Sequence, residues 1–155
     1  MDSENSDSTR ERIMENLKKI TIGGIQYPYK IDLNVLEKIQ EEYGTIGQFE
    51  RDLIGLEFMT DEKGNQMYTD NGEPRMWKVA PKIRAIRMVL PWMINEGKEI
   101  EAEDTGRSWE PVTEAEIARK CDVPYTELAE IIHEEFSRCF SAKKNGTRRE
   151  GKAKN

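Results

Sequence analysis

The sequence predicts a mainly α protein: a helical domain of about five helices with a short N-terminal β-hairpin and disordered polar termini. Three observations carry that reading. Apolar residues recur at helical spacing in several separate stretches, a clear two-residue alternation is confined to residues 20–29, and apolar side chains nearly vanish at both ends. At 155 residues the chain suits one domain. Charged residues are 35% of it, against about 25% in an ordinary soluble domain.

The ends set the boundaries. Residues 1–12 hold a single apolar side chain, Met1, and residues 141–155 hold only two alanines. Such segments bury too little to offset the entropy of ordering, so both tails are expected to be disordered. Residues 13–140 remain as a single mostly helical domain, with a turn-rich insert at 57–76.

Within the domain, Ile20, Ile22, Ile25, Tyr27 and Tyr29 alternate around Gly23-Gly24, which predicts a β-hairpin. Pro28 lacks a ladder donor and places the second strand at an edge or ends its pairing early. Asp32 or Asn34 can cap a helix whose stripe is Val35, Leu36, Ile39 and Tyr43, closed by Gly44. A second helix starts at Thr45, carries Ile46, Phe49, Leu53 and Ile54, and ends near Gly55. Residues 57–76 contain the turn signals Lys63-Gly64-Asn65 and Asp70-Asn71-Gly72, consistent with an exposed hairpin or a mobile loop.

From Trp77 to Glu96 the stripe Val79, Ile83, Ile86, Val89, Leu90, Met93 and Ile94 predicts the most apolar helix, kinked at Pro91 and ended by Gly97. A polar link from Lys98 to Pro111 follows. Thr113 with Glu116 makes a capping box, and the turn Cys121-Asp122-Val123-Pro124 leads into a last helix with Leu128, Ala129, Ile131, Ile132, Phe136 and Phe140. No internal repeat stands out.

Composition and motifs argue against several function classes. The sole histidine, His133, has no second imidazole or thiolate one turn away, so a surface or boundary role is favoured over a metal site. Cys121 and Cys139 match no zinc-ligand spacing and are too few for a disulfide framework. Gly23-Gly24 is followed by a strand, not by a helix N-terminus that would cradle phosphate. No catalytic residue, cofactor-binding residue or metal ligand is expected. No apolar run is long enough for a membrane span, so a soluble intracellular protein is expected.

Net charge is −6. The last fifteen residues carry Lys143, Lys144, Arg148, Arg149, Lys152 and Lys154 against Glu150, a surplus of five, which leaves −11 for the rest. An acidic body is poorly suited to nucleic acid. Residues 113–132 have the layout of a helix-turn-helix, but the second helix carries Glu127, Glu130, Glu134 and Glu135 and no cation before Arg138. A helical hairpin packed on the core is the favoured reading there. The basic tail, lacking aromatics, reads as a solvated tether. Trp92 is expected in the core, and so are Trp77 and Trp109, although they flank loops where an exposed aromatic would anchor a partner.

The order ITIGGIQYPYKIDLNVLEKIQEEYGTIGQFERDL, then MVLPWMINEG, then TEAEIARKCDVPYTELAEIIHEEF resembles the tail assembly chaperones of long-tailed bacteriophages and prophages. The likeness covers about residues 20–140 and includes the helix finishing near Asn95-Glu96-Gly97. It implies a non-enzymatic, mostly helical protein of the host bacterial cytoplasm, absent from the mature virion. Such a protein binds the tape measure protein, keeps it soluble and brings tail tube protein to polymerise around it. Its work requires weakly occupied apolar surface and self-association. Candidate partner-binding residues are Met88, Trp92 and Met93 on the apolar helix, with Trp77 and Trp109 beside it. A structural tail component, such as a connector or completion protein, and a helix-turn-helix regulator stay open as alternatives.

Overall fold

The structure is a computed structural model and describes residues 17–141; the tail expected at 1–12 and residues 142–155 of the basic tail lie outside the described residues. The chain opens with an antiparallel hairpin, β1 (Lys18–Ile22) and β2 (Ile25–Tyr29). Gly23 and Gly24 have φ of +58° and +82°, the positive angles that match a tight turn to strand twist. In this register Ile22 and Ile25 exchange backbone bonds, and alternation puts Pro28 opposite Lys19 at a position where no donor is needed. Pairing therefore continues past the proline to Lys18 and Tyr29.

Asp32 caps α1 (Leu33–Lys38), its carboxylate accepting from the Val35 N–H at 3.3 Å. The helix widens into a π-helical turn over Ile39–Tyr43 before Gly44. Thr45 then caps α2 (Ile46–Ile54) through the Gln48 N–H. Tyr43 donates to the buried carboxylate of Asp52, and Gln48 donates to the same group at 2.7 Å. The wide turn and α2 are thereby tied together.

The insert is ordered. Short strands β3 (Leu56–Phe58) and β4 (Met76–Lys78) pair antiparallel, and two further bridges, Thr60 with Gln66 and Tyr68 with Pro74, lie between them. Contrary to expectation, this segment repeats. The Met67 N–H bonds the Met59 carbonyl (3.0 Å), the Arg75 N–H the Met67 carbonyl (2.9 Å), and the Met59 N–H the Arg75 carbonyl (2.8 Å). The three residues stand eight apart and close a ring of backbone bonds. Gly64 and Gly72, also eight apart, both have φ +86° and close equivalent turns onto Asp61 and Thr69.

The central helix differs from its expected bounds at both ends. α3 spans Ile83–Thr105, so Trp77 belongs to β4 and Val79 to the connection, where its N–H bonds the Gly55 carbonyl at 2.8 Å. The helix continues through Pro91 and Gly97 and ends at Gly106, absorbing half of the expected polar link. Gly97 sits inside the helix because a Cβ there would lie 2.6 Å from the Pro28 carbonyl carbon and oxygen. It marks a close backbone approach, not a stop. The predicted capping box opens α4 (Glu114–Lys120), and α5 (Tyr125–Arg138) follows the Asp122–Pro124 turn.

One core joins these elements. Ile22, Ile31, Ile39, Phe49, Leu53, Val89, Met93, Ile94 and Ile132 are fully enclosed, with Phe49 and Phe136 in tilted ring contact at 5.4 Å. The observed class is the expected one, five α-helices with an N-terminal hairpin. Among the described residues no helix is long and apolar enough to cross a membrane.

Candidate interaction surface

The five sequence-selected residues separate. Met93 has 0% exposure and is a core residue, so it offers nothing to a partner. At 100° per residue it shares the inward face with Ile86, Val89, Leu90 and Gly97, all buried. Met88 and Trp92 lie off that face, and both are half-buried. Trp109 is half-buried too, lining a cleft of about 470 Å³ with Ile25, Tyr27, Pro28 and Ala102. Trp77, expected in the core, is 51% exposed because it stands on β4, outside the helical body.

Trp92 lines a polar cleft of about 430 Å³ with Glu37, Lys38, Glu41, Glu96 and Glu99. The Lys38 ammonium lies 5.6 Å from its ring centroid, a cation–π contact. Glu96 is pushed up to about 7 by its burial and by a hydrogen bond with Asp32, while Asn34, donating at 2.8 Å, opposes the shift. The same Asp32 caps α1, so the cleft floor is also the joint between α1 and α3.

Asn95, Glu96 and Gly97 each fasten a different part of the chain. The Asn95 side chain donates to the Val112 carbonyl (3.0 Å) and accepts from the Val112 N–H (2.7 Å), holding the segment that leads into α4. Glu96 holds the start of α1, and Gly97 admits the backbone of β2. A corresponding joint lies on α5. Buried Glu135 accepts from the Ile31 N–H at 3.0 Å, and Arg138 donates to the Ile31 carbonyl at 2.6 Å and to Glu135 at 2.8 Å. Burial pushes the Cys139 thiol up, and its sulfur lies 3.3 Å from the same carbonyl.

His133 occupies a boundary position, its Nε2 2.9 Å from a Glu50 carboxylate oxygen across α2 and α5. Burial raises Tyr43, as does its bond to Asp52, and Arg84 stacks over its ring at 4.5 Å. Among the described residues no side-chain cluster is arranged to hold a metal ion.

The sequence did not single out the most apolar opening. It is a groove of about 200 Å³ between α3, α4 and the start of α5, floored by Ile86, Leu90, Ile117 and Leu128. Exposed Ile83 (59%) and Tyr125 (40%) form its mouth. Ile83 and Leu128 were visible as stripe positions; that the stripes stop short of full mutual burial was not. A second apolar patch groups Leu33, 81% exposed, with Leu36, Ile46 and Phe140. No known family, curated protein or solved structure matches the chain.

Proposed function

We propose that the protein is a phage tail assembly chaperone: it binds the tape measure protein, keeps that chain soluble, and assists polymerisation of tail tube protein around it. The observation that carries this reading is apolar surface left open on a strongly charged body, above all the groove entered at Ile83 and Tyr125. Isolated exposed apolar residues need no explanation, but an apolar groove lined by helices is the form a protein-binding surface takes. The surrounding charge keeps the free protein from condensing on itself while it waits. The Leu33–Phe140 patch supports self-association in the same reading, since coating a long client takes many copies.

Partner-binding residues under this proposal are Trp77, Trp92, Trp109 and Met88, with the groove residues Ile83 and Tyr125 added. Binding requires neither catalysis nor a cofactor. Co-expression with the tape measure protein of the same genome tests it: a soluble complex is expected. A tape measure protein that stays insoluble with the chaperone present, or stoichiometric incorporation of this protein into purified virions, overturns the proposal.

A further inference from the structure

Along the stretch of chain that runs into α3 and forms one side of the groove, the charge of the sequence reverses. From Pro74 to Asn95 the sequence carries Arg75, Lys78, Lys82, Arg84 and Arg87 and not one carboxylate, in a body whose net charge is −11 without the last fifteen residues. All five cations are exposed. Lys82 and Arg87 are paired with Glu57 and Glu114 at 3.2 Å, and the partners in both pairs are solvent-exposed, so they exchange at little cost. Opposite them α5 opens with Glu127, so the positive side of the groove is the α3 side.

The apolar surface extends beyond the groove. A second cleft of about 250 Å³ lies along the neighbouring face of the same α5 turns, between Leu53, Ile54, Pro81 and Ala129, with Lys78 on its β4 side and Glu130 on its α5 side. Lys78 also donates to the Ile54 carbonyl at 3.0 Å, which holds its ammonium over this face. Two apolar clefts therefore flank the first turns of α5, one edged by Arg87 and the other by Lys78.

We infer that this surface takes an amphipathic helix whose apolar stripe is flanked by carboxylates, the stripe entering at Ile83 and Tyr125 and the carboxylates facing Lys78, Lys82 and Arg87. The inference rests on the chaperone reading for the identity of the natural client and adds the chemistry of the segment that client presents. The occupant is helical because apolar anchors at successive turns of one face suit grooves formed by helices. It is acidic because a basic segment would be attracted to the body as a whole and repelled here.

A pair of synthetic helices separates the two attractions. One has leucine at every third and fourth position and glutamate elsewhere; its twin has lysine in place of glutamate. Fluorescence anisotropy is recorded with the full chain. Overall charge favours the lysine twin, so preference for the glutamate peptide reports the local surface. Ile83→Glu and Arg87→Glu are the probes, both at exposed side chains; the first puts a carboxylate in the first turn of α3, where the helix dipole favours it. Each is expected to weaken the glutamate peptide about tenfold or more, as loss of an anchor does. Leu33→Glu, on the other patch, is expected to leave it unchanged.

Equal or tighter binding of the lysine twin overturns the inference, and so do unchanged affinities in both groove variants. The two readings fail separately. Tape measure solubilised by a chain that shows no preference for the glutamate peptide removes the groove assignment and leaves the chaperone. Groove-dependent peptide binding without solubilisation removes the chaperone and leaves the groove.

Discussion

Residues 95–97 of α3 and the insert between α2 and α3 are built on opposite terms. In the helix, three consecutive residues each engage a separate segment through a side chain, or through the lack of one: Asn95 holds Val112, Glu96 the start of α1, Gly97 the backbone of β2. In the insert, the ring through Met59, Met67 and Arg75 is backbone to backbone, and nearly every side chain from Thr60 to Lys78 is exposed. The first region concentrates fold stability in single atoms. The second holds its own shape while contributing little to the core, which leaves Tyr68, Met76 and Trp77 available at the surface.

The sharpest way to break that contrast is Gly97→Ala. In an exposed helix interior this change gains up to about 1 kcal/mol. Here the new Cβ meets backbone, 2.6 Å from the Pro28 carbonyl and 2.7 Å from the Tyr29 nitrogen, so neither side can yield by turning a rotamer. We expect a loss of about 3 kcal/mol or more, measured by urea unfolding with an unchanged m value. A gain in stability would mean that α3 and β2 are not in contact at this point.

Next in size is Glu135→Ala. It strands the buried Ile31 N–H and removes the partner of Arg138, but the guanidinium keeps access to water. The loss should be about 2 kcal/mol, mostly the cost of the unsatisfied donor. Glu135→Gln, which retains an acceptor for Ile31, should recover part of it. If the two substitutions are equally harmful, the backbone contact is not what matters.

How much of this was legible follows from which forces write themselves into local sequence. The hairpin at Gly23-Gly24, a first cap at Asp32 or Asn34, the Thr45 cap, the Thr113/Glu116 box and the turn before Tyr125 are short-range and were readable, although only the structure decides for Asp32. Gly97 was misread because a glycine after an apolar stripe looks the same whether it ends a helix or admits a neighbouring backbone. The choice is made by Pro28, far away in sequence. Met93 was counted both as stripe and as client surface; helical phase permits only the first. The ring in the insert left just the eight-residue spacing of Met59 with Met67 and of Gly64 with Gly72, since carbonyls and amides carry no side-chain signature. The apolar groove was illegible for a related reason: each stripe declares which side chains face inward, but not that α3, α4 and α5 diverge enough to leave Ile83 and Tyr125 uncovered.

Acidity probes the α1–α3 joint more gently. The folded-state pKa of Glu96, about 7, lies above its ordinary value of 4.5. A carboxyl raised in this way favours the folded state most when protonated. Its contribution is fully present below pH 4.5 and is lost as pH rises to about 7, with no further change beyond. Glu96→Gln, permanently neutral, should therefore match the native protein at pH 4 and exceed it increasingly up to pH 7. Denaturation midpoints across that range supply the check, and parallel curves for the two proteins would place the carboxyl outside the joint.

The smallest effect should come from the insert. Trp77→Ala removes a large aromatic, which in a core would cost about 3–5 kcal/mol. Half of this indole already faces water, and its strand is secured by the Leu56–Lys78 and Phe58–Met76 pairings, which do not involve its side chain. Global stability should fall by about 0.5 kcal/mol or less, and exchange protection of the Met59, Met67 and Arg75 amides should persist because their partners are carbonyls. Partner capture is where Trp77 should count, if the exposed side of β4 belongs to the client surface. A global loss approaching that of Glu135→Ala would show that the insert shares the main core after all, and the distinction between a region that stabilises and a region that presents would fail.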